Sequence, residues 1–376
     1  MTTPKRIMLV AGARPNFMKV APPLCELRKH PQVFQTQLIH TGQHYDAEMS
    51  EVFFRELELP RPDRFLGVGS GSHAEQTARV MVAFERVCLE EKPDLVVVVG
   101  DVNSTMACAI TAKKLCLPVA HIEAGLRSRD WTMPEEVNRV VTDAISDLLF
   151  TPAREADANL VREGIPPERI HFVGNVMIDC LLAQLPKTEQ RDTLERFGVE
   201  AGQYATLTLH RPSNVDSPEV LSGIVKVMAE LSRELSVIWP IHPRSSKMLA
   251  QSKLLHHIDC SPNFKLIDPL GYLDMLTLNR QARMILTDSG GLQEEATVLG
   301  VPCVTLRQNT ERPVTVEVGA NRLAGNQPEG IRAAIQSVLD AKEATIRSPE
   351  LWDGRAAARI ADVLMRLYAQ GWPEVA

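Results

Sequence analysis

The stretch DLVVVVGDVNSTMACAITAKKLCLPVAHIEAG, residues 94–125, joins two apolar runs of strand length through one helical segment. The first run ends at Gly100 and Asp101, and the NST that follows suits a helix start, because short polar side chains cap free backbone N–H groups. The second run, LPVAHI, ends at Glu123 and Gly125. Strand, helix and strand in this order make the crossover unit of a parallel sheet.

The same alternation extends outward. RIMLVAG, QTQLIHTG, LLFTP and IHFVG complete a first series, and YATLTLH, SVIWPIHP, FKLIDP, RMILTDSG and VPCVTL form a second. At 376 residues the chain is long enough for two domains with separate cores. The expected class is therefore α/β, with two Rossmann-like, doubly wound domains joined between Gly174 and Leu185. The tail IRSPELWDGRAAARIADVLMRLYAQG reads as a loop and a final amphipathic helix. Ligands of such sheets sit at the carboxyl ends of strands, here in an expected interdomain cleft.

Composition narrows the function. With 44% hydrophobic and 23% charged residues the chain is globular, and a net charge of -6 argues against nucleic acid, which calls for a basic face. No apolar run spans a bilayer and the N-terminal segment lacks a cleavage-like site, so no membrane partner and a cytoplasmic location are expected. Seven scattered cysteines without a Cys-x-x-Cys pair argue against disulfides and against a zinc site.

At the end of the first strand, AGARPNFMKVAPP offers Gly12 for a tight turn, with Arg14 and Lys19 as phosphate partners. The G-x-G-x-x-G spacing is absent, which argues against a dinucleotide. Asp101 and Glu123 stand at the next edges. In the second half, His210 and Arg211 end one strand and His242 and Arg244 another. Ser289, Gly290 and Gly291 lead from RMILTD into a helix, where small residues let backbone amides approach a diphosphate. Glu294 and Glu295 lie one turn in, placed for a ribose diol, and Arg307, Glu311 and Arg312 stand beyond the following strand.

Residues 121–139, HIEAGLRSRDWTMPEEVNR, gather four acids and three arginines around Trp131. Glu135 and Arg139 have the i,i+4 spacing of an ion pair on a first helical turn. Glu123 leaves a buried strand and must be paired or used, with Arg127 near it in sequence.

GARPNFMKVAP, TGQHYD, GDVNSTMA, HIEAGLRS, PEEVNR, GNVMID, LHRPSN, TDSGGLQEEA and TERPV, in that order, resemble the non-hydrolysing UDP-N-acetylglucosamine 2-epimerases over nearly the whole chain. The resemblance implies two domains of the glycosyltransferase-B type, taken as residues 1–174 and 175–355 with a helix over 356–372 packing back on the first. It also implies a UDP-sugar substrate, no cofactor and a homodimer. Arg14, Lys19, Asp101, Glu123, Glu135 and His210 match positions implicated in substrate binding or catalysis, and Ser289, Gly290, Glu295 and Arg312 match the UDP site.

The hydrogen at C2 of a pyranose has no adjacent carbonyl to acidify it. The route implied by the resemblance is anti elimination of UDP, an enzyme-held 2-acetamidoglucal, and re-addition of UDP after C2 is protonated from the other face. Cations and amides hold the departing diphosphate. Crowded carboxylates suit the proton transfers, because repulsion drives their pKa values apart. Asp101, Glu123, Glu135 and His210 are accordingly the expected catalytic residues. Arg14, Lys19, His242, Arg244, Ser289, Gly290, Gly291, Glu295 and Arg312 are the expected substrate-binding ones. The expected setting is bacterial surface polysaccharide synthesis. The alternatives are a 2-epimerase of UDP-2,3-diacetamido-glucuronic acid or a similar sugar nucleotide, and a retaining UDP-sugar glycosyltransferase.

Overall fold

The computed structural model describes residues 3–42, 61–252, 254–341 and 346–371, the side chains of Arg14, Pro15 and Pro243 excepted. The greater part of TGQHYD, from Gln43 to Asp46, lies outside these residues. The chain forms two compact units, Met1–Ala183 with Glu350–Ala376, and Gln184–Pro349.

The first unit holds a parallel sheet of β1 (Lys5–Ala11), β2 (Phe34–His40), β3 (Arg64–Phe65), β4 (Leu95–Val99), β5 (Val119–Ile122), β6 (Leu148–Thr151) and β7 (Ile170–Phe172), in the order β3-β2-β1-β4-β5-β6-β7. All five residues of β4 are buried. A parallel strand covered on both faces must be apolar throughout, which is why LVVVV carries no alternation. Its helices include α1 (Arg14–Leu27), α2 (His73–Glu91), α3 (Asn103–Lys114), α4 (Pro134–Ile145) and α5 (Val176–Gln184). The NST residues lie inside the first turn of α3, whose N-cap is Val102.

The second unit repeats the plan with β8 (Tyr204–Thr208), β9 (Ser236–Pro240), β10 (Phe264–Ile267), β11 (Met284–Thr287), β12 (Cys303–Thr305) and β13 (Asn321–Leu323), in the order β10-β9-β8-β11-β12-β13. Helix α6 (Gly290–Leu299) follows β11. Each sheet reverses its winding at one place, between β1 and β4 and between β8 and β11, and such switch points are where open α/β sheets take ligands. These two sheets bear out the expected class of paired Rossmann-like, doubly wound domains.

The division falls after Ala183, so the boundary read at Gly174 lies inside the first unit. Packing explains this. The final helix, α7 (Ala356–Gln370), belongs to the first unit, and Asp179 of α5 caps it by accepting from the Ala356 and Ala357 amides at 3.0 and 2.7 Å. The Trp352 indole donates to the Pro152 carbonyl at 2.8 Å. Gly174 lies directly under this returning segment: a Cβ there would stand 2.1 Å from the Leu351 carbonyl oxygen. Its glycine therefore answers to a close backbone passage.

Candidate functional site

The first cluster lies at the switch point of the first sheet. Asn16, on the opening turn of α1, accepts from the Ala13 amide at 2.9 Å and donates to the Val99 carbonyl at 3.0 Å, tying the end of β1 to the end of β4. Gly12 is needed in this turn, since a Cβ would come within 2.6 Å of Ser104. One helical turn later, Lys19 sends its ammonium to the Glu123 carboxylate, and both side chains are buried. Gly100, with φ +65°, leaves room for that pair: its missing Cβ would lie 3.0 Å from Lys19 Nζ and 3.2 Å from Glu123 Oε2. Glu123 itself has φ 73°. A residue with a Cβ enters this left-handed region at a cost of about 1–3 kcal/mol, met by the surrounding structure.

Arg127, the neighbour expected for Glu123, goes elsewhere: it pairs with Asp143 at 2.7 Å and Glu163 at 2.6 Å. Left-handed turns at Glu123 and Gly125, φ 73° and 81°, send the two side chains in different directions.

The pairing expected on α4 is also corrected. Glu135 is exposed, and the acid that turns inward is Glu136. A helix rotates about 100° per residue, so only one of two adjacent glutamates can face the turn at Ser128 and Arg129. Glu136 accepts from the amides of Ser128 and Arg129 at 3.0 and 2.8 Å and from Arg139 at 2.7 Å. Burial pushes its carboxyl up, but these donors outweigh it and hold the pKa below its usual value. Arg139 reaches on to Asp101 Oδ2 at 2.5 Å, while Asn138 donates to the Asp101 carbonyl at 2.8 Å. Of the charge gathered in residues 121–139, Glu136 and Arg139 brace Asp101, while Arg127 ties the turn after β5 to Asp143 and Glu163. Glu136 and Asn138 escaped the sequence reading because PEEVNR allows the i,i+3 pair 136/139 as readily as 135/139.

The second cluster lies at the β8/β11 switch point. Asp288, wholly buried at the end of β11, accepts from the amides of His210 and Arg211 at 3.0 and 2.9 Å and from Asn214 Nδ2 at 3.1 Å. It also faces His210 Nδ1 at 2.8 Å. Burial pushes its carboxyl up, and His210 with the amides brings it below the usual value. The ionised Asp288 accepts from His210 Nδ1–H, leaving Nε2 as the ring nitrogen that points away from the carboxylate. Asp288 is a residue that sequence reasoning missed, although its place in TDSGG was the available signal.

Ser289 is the N-cap of α6 and its side chain does not cap the helix. Gly290 and Gly291 begin the first turn, and a Cβ on Gly290 would come within 2.5 Å of Arg312 Nη1. Arg312 is buried, donating to Glu294 and Glu311 at 2.7 Å each, and Arg307 joins Glu311 at 2.7 Å. Burial alone raises the Glu311 carboxyl, yet the two guanidinium groups hold it far below the usual range. Among the described residues no cation pairs with Glu295: burial pushes its pKa up to about 8, opposed by the Tyr272 hydroxyl, which donates at 3.3 Å.

Among the other expected ligands, His242 and Arg244 are exposed, with the His242 ring 6.1 Å from that of His210 and Arg244 paired with Asp216. The His242 Nδ1 accepts from the Arg244 amide at 3.2 Å. Arg14 opens α1, its side chain being outside the described residues. Among the described residues no group of three or more His, Cys, Asp or Glu side chains is placed to hold a metal ion.

A family model described as UDP-N-acetylglucosamine 2-epimerase matches residues 25–365. The UDP-N-acetylglucosamine 2-epimerase of Methanocaldococcus jannaschii is 44% identical over 364 residues, covering 96% of this chain and 98% of that protein. The UDP-2,3-diacetamido-2,3-dideoxy-D-glucuronate 2-epimerase of Pseudomonas aeruginosa is 40% identical over 367 residues, covering 96% and 100%. The crystal structure of the M. jannaschii UDP-GlcNAc 2-epimerase in complex with UDP-GlcNAc and UDP has a TM-score of 0.87 to this fold, at 43% identity over 96% of this chain and 99% of that one. With the family model matching most of its length, relatives at least 40% identical over 96% of the chain and the fold in agreement, the chain belongs to the UDP-N-acetylglucosamine 2-epimerase family.

Proposed function

We propose that the protein interconverts UDP-N-acetylglucosamine and UDP-N-acetylmannosamine by eliminating UDP and adding it back to a glycal. The carrying observation is the buried Lys19–Glu123 pair beside a clamped Asp101, a proton-transfer set at one switch point. In this reading Glu123, Asp101 and Glu135 move protons at the sugar. His210, oriented by Asp288, and the first turn of α6 hold the departing diphosphate. His242, Arg244 and Arg312 complete the anion's surroundings, Glu295 takes the ribose, and Arg14, at the first switch point, is a further substrate-binding residue. The full-length likeness to the P. aeruginosa enzyme supports the diacetamido uronate as the second substrate to try.

The test is proton NMR of UDP-N-acetylglucosamine with the protein in D2O. A new anomeric signal with deuterium at C2 is expected. An unchanged spectrum with UDP bound would refute this substrate and send the diacetamido uronate into the same assay.

Glu295 makes the reading pH-sensitive. Its raised pKa means that a proton stays on the carboxyl up to about 8. Ribose hydroxyls donate to the ionised form, so binding must release that proton. UDP affinity is therefore expected to weaken as pH falls below about 8, by up to about tenfold per pH unit. Calorimetric titration should show the slope, and Glu295→Gln should abolish it; an unchanged slope in that variant removes Glu295 from the ribose site.

The reading includes a homodimer and a cytoplasmic setting that feeds surface polysaccharide synthesis. All seven cysteines are free thiols, which suits a reducing compartment, and no helix among the described residues is long and apolar enough to cross a membrane.

A further inference from the structure

We infer that His121 and Asp143 are positioning residues for proton transfer, holding the turns that carry Asp101 and Glu123 at a fixed separation; this rests on the epimerase reading above. His121 is fully buried on β5, two residues before Glu123. Its Nδ1 lies 2.6 Å from Asp143 Oδ1, and its Nε2 lies 2.8 Å from the Gly100 carbonyl oxygen. A carbonyl only accepts, so Nε2–H donates to it. Asp143 is buried on α4, and its second oxygen accepts from the Gly125 amide at 3.0 Å and pairs with Arg127 at 2.7 Å. One imidazole and one carboxylate thereby tie together the turn after β4, the turn after β5 and helix α4.

The turn after β5 needs such support. Gly100, Glu123 and Gly125 all have left-handed backbones, with φ 65°, 73° and 81°. A strained non-glycine conformation persists only where its surroundings over-determine it. The Glu123 and Ala124 amides donate to the Phe150 carbonyl at 3.0 and 3.1 Å, fixing one side of the turn, and Asp143 fixes the other through Gly125. Helix α4 also supplies Asn138 and Arg139 to Asp101. The two carboxylates are thus registered to a single rigid element. Buried polar pairs lose solvation that apolar residues of equal volume would not lose, so stability alone gives little reason for this one. Its hydrogen bonds run instead to the two turns that bear Asp101 and Glu123.

Two substitutions divide the couple. His121→Asn places an amide near the Nδ1 position, within reach of Asp143 but not of Gly100. His121→Gln places its amide nitrogen near the Nε2 position, able to reach Gly100 but not Asp143. Fold is followed by circular dichroism, UDP binding by calorimetry, and turnover with UDP-N-acetylglucosamine bearing hydrogen or deuterium at C2. The expected result is unchanged UDP affinity, unchanged KM, kcat lower by about 10- to 100-fold, and a larger isotope effect as proton removal becomes limiting. A merely structural role would lower the amount of active enzyme and leave the isotope effect unmoved. That outcome overturns the inference, as does kcat within about twofold of the parent in both variants. Should one variant not fold, the other decides, with Asp143→Asn as a third. Failure of the epimerase reading would show separately, as no C2 exchange in the unaltered protein.

Discussion

Glu123→Gln is expected to lower turnover by about 10²- to 10⁴-fold while UDP still binds. The carboxylate is buried, at a residue strained at φ 73°, and joined to the Lys19 ammonium, so it is held in one place. Glutamine keeps the shape and an oxygen for Lys19, so the fold is expected to survive. It cannot accept a proton from C2 or return one. UDP is assigned to His210 and α6, in the other unit, so its binding should not change. The check pairs calorimetry of UDP with deuterium uptake at C2 by NMR. Exchange at the parent rate would take Glu123 out of the proton-transfer set. Lys19→Met is the complement: it strands the carboxylate without its cation, and turnover should fall there too.

Gly174→Ala is expected to destabilise the first unit by about 3 kcal/mol or more. The new Cβ would meet the Leu351 carbonyl oxygen at 2.1 Å, and alanine would have to hold φ +88°. Neither partner can yield cheaply, because both are backbone. Displacing Leu351 pulls on the Trp352 bond to Pro152 and on the Asp179 cap of α7, so the loss spreads along the returning segment. At roughly 2–4 °C per kcal/mol for a unit of this size, the melting temperature should drop by roughly 10 °C. Activity per folded molecule should stay near that of the parent. A variant that melts like the parent would overturn this account of Gly174.

Much of the fold was written in local pattern. DLVVVVGD and RMILTDSG announce parallel strands because a strand buried on both faces is apolar throughout, and the small polar residues after them announce turns into helices. Arg64–Phe65 and Asn321–Leu323 were not legible, since edge strands of two or three residues have no period to read. Asp101, Glu123, His210 and the Ser289–Gly291 turn could be placed because a strand end is a sequence feature and the resemblance runs through each of them.

The partners of those residues were a different matter. Lys19 meets Glu123 across 104 positions, His121 meets Asp143 across 22, and His210 meets Asp288 across 78. The sequence alone determined which elements form and which residues stand at their ends, because hydrophobic period and turn chemistry act within a few residues. Only the tertiary structure decided that Glu136 and not Glu135 turns inward, that Lys19 and not Arg127 neutralises Glu123, and that Gly174 admits the returning chain. Those outcomes depend on which buried charge finds a counter-charge and which backbone passes close, and both are set by chain distant in sequence.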